Sequence, residues 1–145
     1  MVIKIGLLNG PNLNRLGIRE PEIYGSTKLA QIEQSVSKFA QKLDSIVECF
    51  QSNHEGALID KIHYWSDEEF YGMIFNPGGF THTSVAIRDA ISSSSMKIVE
   101  VHLSNIHARE DFRSKSLISG VVDSVIAGMG HDGYISALQY LIKNA

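Results

Sequence analysis

The chain has a single cysteine, Cys49, among its 145 residues. One thiol excludes an intrachain disulfide and gives no basis for a thiolate zinc site, which fits a reducing compartment. No run of Lys or Arg occurs, and the formal net charge is -3. A nucleic-acid binder working by bulk electrostatics is excluded on that ground. No stretch approaches the roughly 20 consecutive apolar residues that span a bilayer, and MVIKIGLL at the start lacks a signal-peptide pattern. The expectation is a soluble, unprocessed, cytoplasmic protein with no membrane partner. No G-x-G-x-x-G follows the first apolar run and no G-x-x-x-x-G-K-[ST] occurs, so neither a dinucleotide nor a nucleoside triphosphate is expected. What remains is a small-molecule partner, with no cofactor and no metal expected.

With 43% hydrophobic and 20% charged residues, residues 1–145 suit one domain around one core. Apolar runs alternate with helical patterns. Strands are expected at 2–8, 46–50, 72–75, 97–103 and 124–128. From Thr27, Leu29, Ile32, Val36, Phe39 and Leu43 recur at spacings of three and four, which is one helix face. A second helix carries Leu58, Ile59, Ile62 and Trp65. A third spans 84–91, with Thr81 or Thr83 as its cap. The stretch DFRSKSLIS before the fifth strand is a short, loosely amphipathic helix, and the last helix carries Ile135, Leu138, Leu141 and Ile142. IVECF, with Cys49, reads as a buried strand. Strand-then-helix units with strands apolar on both faces predict an α/β doubly wound, five-stranded parallel sheet with helices on both faces.

Ligands of open parallel sheets bind beyond the carboxyl ends of the strands. The loop after the first strand, NGPNLNRLGIREPEIYGS, is longer than the ~12–15 residues beyond which a structureless connection is functional or disordered. It holds Tyr24 downstream of Arg15 and Arg19. A phenol ionises near pH ~10, so chemistry at Tyr24 needs a nearby cation. After the third strand comes NPGGFTHTS, and after the fourth EVHLSNIHARE. Strand alternation puts Glu100 and His102 on one face, where the carboxylate orients the imidazole and supports its protonated form. The three loops gather Asn12, Asn76, His82, His102, Arg109 and Arg113 at one sheet edge. No lysine sits on them, which favours acid–base chemistry over a Schiff base.

Each residue also has a plainer reading. Tyr24 can pack under a loop, Arg19 can be a solvated charge, and His102 can be a core histidine satisfied by Glu100. Asn12 and Asn76 suit turns, as do Gly78 and Gly79. His102 and His107 would face opposite ways on a continuing strand, which argues against joint metal ligation.

The motifs NGPNLNRLG, REPEIYG, FQSNHEG, NPGGFTHTSVAIRDA and EVHLSNIHAREDFR occur in this order, and the chain through GYISALQYL resembles the type II 3-dehydroquinate dehydratases. The resemblance implies a flavodoxin-like fold, a dodecamer of four trimers, and cofactor-free dehydration of 3-dehydroquinate to 3-dehydroshikimate in the shikimate pathway of aromatic amino acid biosynthesis. It implies anti elimination through an enolate. Tyr24 would be the base, made acidic by Arg19 with Arg109, and His102 the acid, supported by Glu100. Asn12 would serve the enolate oxygen, and Asn76, His82 and Arg113 the substrate hydroxyls. Backbone N–H groups of Ser104 and Ile106, with neighbours Leu103 and Asn105, would anchor the carboxylate. Asp89 would be lent by a neighbouring subunit. Two other classes stay open beside this one: a flavodoxin-like module binding flavin or a mononucleotide, resting on fold alone, and a metal-dependent hydrolase using His82, His102 and Glu100.

Overall fold

The computed structural model describes residues 2–145 apart from Arg19, and of Tyr24 the backbone without the side chain. Strands β1 (Ile3–Asn9), β2 (Ser45–Gln51), β3 (Gly72–Asn76), β4 (Lys97–His102) and β5 (Ser124–Ala127) form one parallel sheet in the order β2-β1-β3-β4-β5. This is the flavodoxin-like doubly wound order, whose direction of winding reverses beside β1. The α-helices are α1 (Pro21–Tyr24), α2 (Leu29–Lys42), α3 (Glu55–Asp67), α4 (Val85–Ser93) and α5 (Asp132–Lys143).

Strand alternation divides the core in two. Ile5, Leu7, Ile74, Val99 and Val101 meet α2 and α5 through Ile32, Val36, Leu138 and Leu141. Leu8, Met73, Phe75 and Ile98 meet α3 and α4 through Leu58, Ile62, Trp65 and Ile87. Each fully buried Leu, Ile or Phe contributes about 1.5–3 kcal/mol, so the central strands anchor the sheet.

Three expectations need correction. The cap of α4 is Ser84, whose Oγ accepts a hydrogen bond from Ile87 N at 2.9 Å; Thr81 and Thr83 lie within and just after the preceding 3-10 turn. The β4–β5 crossover is not an α-helix but 3-10 turns at Ile106–Ala108, Asp111–Arg113 and Ser119–Val121. Ser116 Oγ accepts from Ile118 N and Ser119 N at 3.2 and 3.1 Å, and such local side-chain bonds displace the helical ladder. Finally, IVECF is not buried. β2 is an edge strand, so Ile46 is 55% exposed and Cys49 only half-buried. Burial and the nearby Glu33 charge still push the Cys49 thiol up to about 11.

Candidate active site

The carboxyl ends of β1 and β3 are in register, Asn9 against Asn76, and their loops cross at backbone distance. Gly10 N donates to Asn76 O at 2.7 Å. A Cβ at Gly10 would lie 2.3 Å from Pro77 O, and one at Gly78, which has φ +60°, would lie 2.9 Å from Pro11 O. Glycine is what lets these chains touch. Asn12 follows in the left-handed region with φ 70°, a conformation asparagine tolerates. Its N–H donates to Asn53 Oδ1 at 2.9 Å. Gln51 Nε2 ties the same turn down through Gly10 O and Asn53 Oδ1 at 3.0 and 3.2 Å.

On the α3 and α4 side of β4, Glu100 is fully buried and His102 nearly so. His102 Nε2 is hydrogen-bonded to Glu100 Oε2. Ser119 Oγ donates to Glu100 Oε1 at 2.6 Å and Ser116 Oγ to Oε2 at 3.0 Å. Burial alone pushes the Glu100 carboxyl up, but the bonds from His102, Ser119 and Ser116 outweigh it and hold the group below the ordinary carboxylate range. Glu100 is therefore the acceptor and Nε2 carries the shared hydrogen, which leaves Nδ1 for a bound molecule. His82 is held the other way round: its Nδ1 lies 2.7 Å from Lys115 O. A carbonyl only accepts, so Nδ1 is protonated and Nε2 is left over.

These elements close around a cavity of about 120 Å³. Asn12, Asn76, His82 and His102 line it from three strand ends, and Leu103, Ser104, Ile106, Arg109 and Arg113 line it from the crossover. Among the described residues the backbone N–H groups of Ser104 and Ile106 make no hydrogen bond, so both remain available to an anion. Arg109 lies near Glu20 and Glu110 at 3.9 and 4.0 Å, and Arg113 Nε pairs with Glu110. That bond holds the exposed Glu110 carboxyl below its ordinary range.

Glu100 sits behind His102 and does not itself line the cavity. Asn105 stays outside it too, its Oδ1 accepting from His107 N at 3.1 Å. Asp89 is exposed on α4 and is not among the residues that line the cavity. Arg19 and the Tyr24 side chain lie outside the described residues. Among the described residues no three His, Cys, Asp or Glu side chains group as metal ligands, His82, His102 and Glu100 included.

Sequence reasoning passed over Ser116, Ser119, Gln51 and Asn53, which hold the polar residues of the cavity in place. It also passed over Asn9 and Tyr134. The Tyr134 hydroxyl accepts from Asn76 Nδ2 at 3.0 Å and donates to Asn9 Oδ1 at 2.5 Å. A signal for Tyr134 was present. With Leu138 and Leu141 it falls on the buried stripe of α5, and a tyrosine there requires a partner for its hydroxyl.

An open parallel α/β sheet with a carboxylate-held histidine, free backbone donors and arginines at its carboxyl edge defines a class: an acid–base enzyme for a small anionic substrate. Comparison with known proteins narrows this. The family model described as dehydroquinase class II matches residues 3–142. A 3-dehydroquinate dehydratase of Endomicrobium trichonymphae is 54% identical over 140 residues, covering 97% of each chain. One of Bacillus subtilis is 52% identical over 137 residues, covering 94% of this chain and 92% of its own. The crystal structure of the type II dehydroquinase from Butyrivibrio crossotus superposes with a TM-score of 0.96 at 45% identity, covering 99% of both chains. The chain belongs to the class II dehydroquinase family. Nothing in these comparisons favours the flavin or mononucleotide module.

Proposed function

We propose a residue-by-residue route for the reaction of this family, the dehydration of 3-dehydroquinate to 3-dehydroshikimate in the shikimate pathway. Membership makes the protein a lyase of that type; the roles below are our reading, with residues 1–145 acting as one catalytic domain.

Tyr24, its phenol made acidic by the Arg19 and Arg109 guanidinium charges, removes the proton next to the ketone, and the C–H electron pair passes into an enolate. Asn12 serves the enolate oxygen. The enolate then collapses with loss of the hydroxyl on the opposite face, which takes a proton from His102 and leaves as water. Glu100 compensates the positive charge His102 carries while loaded as the acid. Asn76, His82 and Arg113 bind substrate hydroxyls, and the N–H groups around Leu103, Ser104, Asn105 and Ile106 anchor the carboxylate. A positioned acid or base contributes about 10²- to 10⁴-fold and an oxyanion donor about 10²- to 10³-fold. The observation that carries this reading is the bonding of His102 to a buried, serine-held carboxylate at the wall of a cavity that also collects free backbone donors and two arginines.

Asp89 completes the site of a neighbouring subunit in a homo-oligomer, a cytoplasmic dodecamer of four trimers. Its exposed place on α4, outside its own chain's cavity, supports that role. Mixing the purified enzyme with 3-dehydroquinate should produce the ultraviolet absorbance of a conjugated enone. Absence of that signal at high enzyme concentration would overturn the route, and a monomer in sedimentation would overturn the assembly.

A further inference from the structure

We infer that Tyr134 is a positioning residue that locks the Asn76 carboxamide so that it faces the cavity as a hydrogen-bond donor. The polarity of a backbone amide is fixed. Gly78 N–H can only donate, and its partner on Asn76 is Oδ1 at 3.1 Å. The other end of that carboxamide is therefore the NH₂ group. It meets the Tyr134 hydroxyl at 3.0 Å, which must accept there. The single phenolic proton is thereby directed to Asn9 Oδ1, 2.5 Å away. Every orientation in the chain Gly78, Asn76, Tyr134, Asn9 follows from the first.

Nδ2 of Asn76 carries two hydrogens and Tyr134 takes one. The second is left for the cavity that Asn76 lines, so this wall reads a lone pair. Tyr134 and Asn9 are both fully buried. Burial pushes the Tyr134 phenol far above its ordinary range, so the lock does not turn with pH. Phenylalanine at 134 would leave Asn9 Oδ1 without its donor and the Asn76 NH₂ without its acceptor, and the carboxamide would be held at one end only.

The kinetic test rests on the dehydratase reading; a second measurement does not. Tyr134→Phe and Asn76→Ala are compared with the unaltered enzyme on 3-dehydroquinate and on analogues each lacking one ring hydroxyl. Asn76→Ala identifies the hydroxyl whose loss no longer matters. Tyr134→Phe should raise KM about threefold to tenfold with kcat nearly unchanged, the scale of one hydrogen bond. It should weaken discrimination at that same hydroxyl only, and the double variant should bind no worse than Asn76→Ala. Intact discrimination, or a uniform loss at every hydroxyl, would overturn the inference. Neutron diffraction from the unaltered, deuterium-exchanged enzyme decides the lock even where Tyr134→Phe does not fold: deuterium on the Tyr134 oxygen aimed at Asn9 supports it, and deuterium aimed at Asn76 overturns it. An unaltered enzyme that leaves 3-dehydroquinate unchanged defeats the dehydratase reading, and the neutron map still decides the lock.

Discussion

Two polar networks lie under one cavity on opposite faces of the sheet, and they are built on different principles. Toward α3 and α4, Glu100, His102, Ser116 and Ser119 form a charged network in which three donors hold one carboxylate. Toward α5, Asn9, Tyr134 and Asn76 form a neutral one. A buried charge is costly unless its lone pairs are satisfied, so the first network is crowded with donors and responds to pH. The second has no ionisable member near neutral pH and sets direction only. Proton transfer needs the first kind of construction, and recognition of a fixed hydroxyl needs the second.

Substitutions in the charged network should have the largest effects. His102→Ala should lower kcat about 10²- to 10⁴-fold, the range for loss of a general acid, in a steady-state assay. A loss confined to KM would move His102 to the binding side. Glu100→Gln should alter stability as a function of pH. The folded-state pKa of Glu100 is depressed, so its contribution is fully present above the ordinary carboxylate value of about 4.3 and disappears as pH falls through the depressed value. Denaturant titrations across the acid range should show a shallower decline for the variant, and parallel curves would contradict the assignment. Ser119→Ala removes the 2.6 Å bond to Glu100 Oε1. A bond to a buried charge is worth about 1.5–3 kcal/mol, to be read from the same titrations. Tyr134→Phe should show the smallest change with pH: about 1–3 kcal/mol is lost for each neutral group left unpaired, a loss that stays level between pH 5 and 8. A pH-dependent loss would place it in the charged network.

Much of this was legible along the chain, and the reasons are local. Glu100 and His102 are two apart on one strand, so alternation alone puts them on one face. The apolar spacing from Leu29 to Phe39 and the run at 72–75 depend only on helix and strand periods, whereas Leu43, expected on the same face, lies past the end of α2 and is exposed. The site loops follow from the rule that parallel sheets bind at their carboxyl ends. Misreadings arose where a local pattern met a distant partner. DFRSKSLIS has residues that can make a weak helix, but Ser116 and Ser119 turn to Glu100. IVECF is apolar enough for a central strand, but the order of strands across the sheet is not their order along the chain.

By itself the sequence determined the alternation of strands and helices, the parallel sheet and the residue types gathered at its carboxyl edge, because periodicity and turn chemistry act over a few residues. Only the tertiary structure decided which hydroxyls reach Glu100 from 16 and 19 residues away, which side chain holds Asn12 from 41 residues away, and that Tyr134 meets Asn9 across 125. No spacing rule reaches that far: such contacts exist only once β1, β3 and α5 have packed, and a hydrogen bond leaves no periodic mark on the chain that makes it.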